Sequence, residues 1–141
     1  MQKAKRVLIM GLPGSGKTTL AKNVVKFLKA DWLNADKIRG KHNDWDFTKA
    51  GILRQVKRMN SLANKSKKNF VVADFVCPIN KQRLIFKPDY IIWMDTINKS
   101  RFQSMKRIFT RPKNYNLRLT KKTLNFNLKK TRIKLMNFFK K

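Results

Sequence analysis

Gly11-Leu12-Pro13-Gly14-Ser15-Gly16-Lys17-Thr18 lies between an apolar run, Val7-Leu8-Ile9-Met10, and a helically patterned stretch from Thr19 to Lys29. The eight residues satisfy the spacing G-x-x-x-x-G-K-[ST] without substitution, and strand before and helix after is the context that spacing requires. Glycines there let the backbone wrap closely around phosphate oxygens. The N–H groups at the helix start and the helix dipole both favour an anion. Gly11, Gly14, Ser15, Gly16, Lys17, Thr18 and Thr19 are therefore candidates for binding ATP. Lys17 would reach the β- and γ-phosphates, and the Thr18 hydroxyl would help hold Mg²⁺.

The rest of the chain alternates strand-like and helix-like stretches. Trp32-Leu33-Asn34 reads as a short second strand, and residues 40–48 as a polar loop with Trp45 and Phe47 embedded. In such a loop an aromatic residue either anchors the loop or faces a ligand. Lys49 to Asn64 carries Ile52, Val56, Met59 and Ala63 at helical spacing, with Arg54 and Arg58 sharing another face. Phe70 to Val76 reads as a third strand ended by Cys77-Pro78, residues 79–87 as a short basic helix or turn, and Tyr90 to Asp95 as a fourth strand. A helix is expected over 97–109, a mobile basic loop over 110–116, and a short fifth strand at Leu117-Arg118-Leu119. In the basic tail, residues 120–141, Leu124, Leu128, Leu135 and Phe139 recur at helical intervals, predicting an amphipathic helix packed on the core with its lysines in solvent. The alternation means an α/β fold with a parallel sheet, and neither a repeat nor a linker divides the 141 residues, so one domain is expected.

The charge is unusual. Thirty-five Lys and Arg face seven acidic residues, for a net +28, and all seven acids are aspartates. Codon drift, a field that draws in anionic small substrates, and nucleic-acid binding are three competing readings of this charge, and no position decides between them. One cysteine leaves no intrachain disulfide or cysteine-rich metal site, and one histidine argues against zinc. The apolar run after the basic start is broken by Gly11 and Pro13, too soon for a secretory core, and no stretch approaches a membrane span. The expected location is cytoplasmic.

Aspartates recur where apolar strands end: Asp36, Asp74 with Cys77 nearby, and Asp95. In an open parallel sheet those ends line one crevice in which ligands bind. In this arrangement the chain resembles the adenylylsulfate kinases, which phosphorylate the 3′-hydroxyl of adenylyl sulfate with ATP. The matching segments are Gly11 to Ala21, Asn34-Ala35-Asp36-Lys37-Ile38-Arg39, Phe47-Thr48, Val71 to Pro78 with Arg83 following, Trp93-Met94-Asp95-Thr96 and Phe109-Thr110. The resemblance implies a three-layer P-loop kinase fold with a parallel four- to five-stranded sheet and helices on both faces. It implies ATP and Mg²⁺, with Lys17 and Asp36 catalytic and Thr18 and Asp36 near the metal. Asp36 would orient the acceptor hydroxyl or take its proton. Arg39 and Arg54 would grip the phosphosulfate, with Arg58 the rival for Arg54. Phe47 and Phe109 would sandwich the adenine, and the backbone at Val76-Cys77 would hold the substrate end. Asp36 has a second reading as the cap of the next helix.

The chain departs from the family pattern at Ala35, Lys37 and Cys77, where the family has Gly, Asn and Ser, and in a shorter lid. Alternatives are another small-molecule or polynucleotide-end kinase of the same fold, and a basic nucleic-acid-binding P-loop protein. The expected partners are ATP and adenylyl sulfate. A homodimer is admitted, nucleic acid is not favoured, and no membrane partner is expected.

Overall fold

The computed structural model describes residues 3–98 and 108–140. Five strands form one parallel sheet: β1 (Lys5–Met10), β2 (Asp31–Asn34), β3 (Phe70–Asp74), β4 (Tyr90–Met94) and β5 (Leu117–Leu119), in the order β2-β3-β1-β4-β5. Every pairing is parallel, with Ile9 opposite Asp74 on one side of β1 and opposite Ile92 on the other. The helices are α1 (Lys17–Leu28), α2 (Ala35–His42), α3 (Lys49–Asn64), α4 (Asn80–Phe86) and α5 (Leu124–Phe139).

Period-two alternation in β1 splits the core in two. Leu8 and Met10 pack with Ile38, Val56, Met59 and Phe86 under α2, α3 and α4. Val7 and Ile9 pack with Leu20, Val24 and Leu135 under α1 and α5. Both faces are covered, so β1 and β4 read as continuous apolar runs. This is the three-layer α/β P-loop kinase fold.

Four expectations need correction. The 40–48 loop begins only at Asn43, because α2 occupies residues 35–42. Asn34 caps α2 by accepting from the Lys37 N–H at 3.0 Å, while Ala35, Ile38 and Arg39 supply its buried side and Asn43, in left-handed conformation, ends it. With one large aliphatic residue and Gly40 inside it, α2 carries little periodic signal. The third strand stops at Asp74 rather than Val76: β2 ends opposite it at Asn34, and on the β1 side only a single bond follows, from the Phe75 N–H to the Ile9 carbonyl. The fourth strand stops at Met94, and Asp95 lies just beyond it. The tail forms the expected helix, but Leu124 is exposed and the buried stripe is Asn127, Thr131 and Leu135, flanked by Leu128 and Phe139. The helix expected over 97–109 falls mostly on residues 99–107, outside the described residues. No described helix is long and apolar enough to cross a membrane.

Candidate active site

At the carboxyl ends of β1, β2 and β3 opens a cavity of about 700 Å³. One wall is the loop before α1, with Gly14, Gly16, Lys17, Thr18 and Thr19 lining it. Gly16 occupies the cap position of α1 in a left-handed conformation (φ 98°), and no side chain caps the helix or places an acid in its first turn. The first-turn N–H groups are thus left for an external anion. Gly11 is held to glycine by crowding, since a Cβ there would stand 2.7 Å from the Met94 carbonyl oxygen and 2.8 Å from Ser15 Oγ. Ser15 is buried and its hydroxyl has no partner among the described residues. An uncapped helix start beside an orphaned hydroxyl fits the phosphates of ATP.

Lys17 Nζ donates to the Leu12 carbonyl at 2.9 Å. Burial pushes its ammonium down to about 8, with the charges of Asp74 and Asp36 opposing the shift. Opposite stand Asp36, Arg39 and Phe47, followed by Phe75, Val76 and Cys77. Asp36 sits exposed in the first turn of α2, whose cap is already supplied by Asn34. The capping role therefore belongs to Asn34, and the Asp36 carboxylate is left facing the cavity. Arg39 is nearly buried, lies 4.4 Å from the centroid of the Phe47 ring, and donates to the carbonyls of Asp44 (2.9 Å) and Asp46 (3.2 Å). Cys77 is buried in a left-handed conformation (φ 49°), and burial pushes its thiol up to about 12, so it acts here as backbone and volume.

Two candidates lie elsewhere. Arg54 is outside the cavity lining: its Nε and Nη2 bind the Asp44 carboxylate at 2.8 and 3.1 Å, and Nη2 reaches Asp46 at 3.0 Å. Arg58 also binds Asp44, at 3.1 Å. These contacts, Arg54's first, hold the Asp44 carboxyl well below the usual carboxylate range. Phe109 packs against the core beside Arg83, with the guanidinium 5.7 Å from its ring. Asp95 is ion-paired to Arg118 at 2.6 Å and Arg111 at 3.7 Å, and lines a separate recess with Thr96, Ile97 and Asn98.

Asp74 also lines the cavity, at the end of β3. The Trp32 indole N–H and the Asn34 amide each donate to one of its oxygens at 2.9 Å. Burial pushes its carboxyl up to about 6 despite those bonds and the Lys17 charge. Its folded pKa thus exceeds the ordinary 3.8, so its stabilising contribution is complete below about 4 and is lost as pH rises to about 6. Comparing Asp74→Asn with the parent cancels the constant cost of the changed acceptor. The stability difference should shift in the variant's favour by about 2 kcal/mol between pH 4 and pH 7, read from denaturant melts. A difference independent of pH would show that Asp74 titrates normally.

The oxygen groups that could serve as donors to Mg²⁺ are the Thr18 hydroxyl and the carboxylates of Asp36 and Asp74, all lining the one cavity. No cluster of three or more His, Cys, Asp or Glu suited to a metal occurs among the described residues. Hard oxygen donors with at most two carboxylates suit Mg²⁺ held jointly with substrate phosphates. Sequence reasoning placed Asp74 among the strand-end groups of the crevice without a chemical role, and did not choose for Trp45, which also lines the cavity. Asp74's position at a strand end was the available signal. Trp45 carried only its spacing, two residues before Phe47.

Residues 7–114 match the family model described as AAA domain. No curated protein matches the chain in sequence. Among solved structures, the Mycobacterium tuberculosis APS (adenylyl sulfate) kinase in complex with AMPPNP and APS is similar with TM-score 0.78, 20% identity and full coverage of both chains. A gluconokinase from Sinorhizobium meliloti 1021 is similar with TM-score 0.70 and 10% identity, covering 99% of this chain and 96% of that one. A shikimate kinase from Acinetobacter baumannii in complex with shikimate follows at TM-score 0.63 and 16% identity, covering 95% and 94%. These likenesses share the fold.

Proposed function

The chain belongs to the AAA domain family, and on that premise we propose that it is an ATP-dependent phosphotransferase acting on adenylyl sulfate, an adenylylsulfate kinase of sulfate assimilation. The observation that carries this reading is one cavity with two chemically distinct ends. The uncapped α1 start and Lys17 form a phosphate end, and Asp36 stands opposite with the Arg39–Phe47 stack beside it.

In phosphoryl transfer the protein's work is mainly positioning and charge stabilisation. Lys17 and the α1 N–H groups would hold the β- and γ-phosphates. Asp36 would orient the 3′-hydroxyl and accept its proton as the new P–O bond forms and the bond to the ADP oxygen breaks. Thr18, with Asp36 and Asp74 nearby, would help hold Mg²⁺. Held by these residues, Mg²⁺ would supply positive charge to the transferring phosphoryl group. Arg39 would pair with the acceptor's anionic group, and Phe47 would contact its base. Cys77 stands where the resembled kinases have serine, so that position cannot carry a phosphoserine.

An acceptor screen with MgATP tests the proposal. We expect 3′-phosphoadenylyl sulfate from adenylyl sulfate and no comparable turnover of gluconate or shikimate. Turnover of either of those acceptors, with adenylyl sulfate untouched, would sink the reading.

A further inference from the structure

The resemblance to adenylylsulfate kinases assigns the second aromatic wall of the acceptor base to Phe109, yet Phe109 sits in the core cluster beside Arg83 and does not line the cavity. Phe47 does line it, but the Arg39 guanidinium already lies over its ring. Of the two other aromatic side chains that line the cavity, Phe75 is buried edge-on against Phe86, while Trp45 is 52% exposed. We propose that Trp45 is the specificity-determining residue of the acceptor site, stacking on a planar heteroaromatic base and thereby selecting a nucleotide over a sugar acid.

Three observations support a built platform rather than a loose loop residue. Asp44, next to Trp45, is fixed by Arg54 and Arg58, and its carboxylate also accepts from the Asp46 N–H at 3.2 Å. On the other side of Trp45, Asp46 accepts from the Thr48 N–H at 2.9 Å, and its backbone fits so closely over α3 that a Cβ on Gly51 would collide with its carbonyl oxygen. The Trp45 ring itself lies against α2, its Cζ2 3.9 Å from where a Gly40 Cβ would be. Both neighbours of Trp45 are thus tied down, while half of its own surface stays open. An indole held in place and left uncovered costs little further ordering when a base stacks on it. Base–aromatic stacking is sequence-tolerant but demands a π-face, which gluconate and shikimate lack. Arg39 at the same wall supplies a charge for the anion such a base would carry.

The inference rests on the kinase reading but fails separately from it. With AMPPNP and Mg²⁺ saturating the donor end, calorimetry should show AMP binding about tenfold more weakly to Trp45→Leu than to the parent. Ribose 5-phosphate, which shares the anion and lacks the base, should bind both alike, and Trp45→Phe should restore most of the AMP affinity. In turnover, Trp45→Leu should raise KM for adenylyl sulfate while KM for ATP holds. Equal AMP affinity in parent and Trp45→Leu would overturn the inference, and so would parallel weakening of both probes, which would make Trp45 a prop for the loop. If adenylyl sulfate is not phosphorylated yet Trp45→Leu still separates AMP from ribose 5-phosphate, the acceptor is another nucleotide and the inference stands. If adenylyl sulfate is phosphorylated with KM unmoved in Trp45→Leu, the reading stands and the inference falls.

Discussion

Replacing Lys17 with alanine will lower kcat/KM for phosphoryl transfer about 10²–10³-fold, which is about 3–4 kcal/mol of lost transition-state stabilisation. The size follows from how little positive charge the cavity contains. Although the chain carries +28, only Lys17 and Arg39 are cationic among the described residues that line the cavity, and Arg39 lies against Phe47. Among the described residues no second ammonium lines the phosphate end. Burial already depresses the Lys17 pKa, so its charge is held at a cost that only a bound polyanion offsets fully. Removing the side chain also removes its bond to the Leu12 carbonyl, an acceptor that keeps the Ser15 N–H at 3.1 Å. Thermal melting should change little, which separates a lost charge from a lost fold. A variant retaining more than a tenth of parental kcat/KM would show that Lys17 does not act on the transferred phosphoryl group.

The second large effect belongs to Asp36. Asp36→Asn should lower kcat about 10²–10⁴-fold, the range for a positioned general base, with a much smaller change in KM for ATP. Structurally the substitution is mild. Asn34, not Asp36, caps α2, and no hydrogen bond to the Asp36 carboxylate occurs among the described residues. What is lost locally is a helix-dipole interaction of at most about 1 kcal/mol. Burst and steady-state kinetics on the pure variant would measure the effect. Unaltered kcat would take Asp36 out of the reaction and leave Asp74 as the carboxylate to test.

The fold was legible because its signals are local and periodic. Gly11 to Thr18 placed a strand before it and a helix after it, and both are present. Helix α3 carried its pattern openly in Ile52, Val56, Met59 and Ala63, all buried except on the polar side. Helix α2 was missed because its evidence lies in one cap and one buried aliphatic residue, with the rest of its stability coming from packing against α3 and the sheet. The cavity lining was legible where a residue's place follows from a strand end, as for Lys17, Thr18 and Asp36. It was illegible where a role depends on who else claims the side chain. Arg54 looked free for a substrate anion, but Asp44 and Asp46 lie close enough across the loop to hold it, and nothing in a one-dimensional pattern reports that competition. Trp45 and Phe109 exchanged prominence for the same reason, since burial beside Arg83 is a tertiary fact.

Asn34 has both ends of its amide in use, the oxygen on the Lys37 N–H at the head of α2 and the nitrogen on the Asp74 carboxylate. The helix that aims Asp36 and the carboxylate at the end of β3 therefore share one side chain as their common reference. Position 34 is thus a mechanical hinge pin: a change there disturbs the start of α2 and the surroundings of Asp74 together, whereas a change in the 43–48 loop leaves both of these bonds in place.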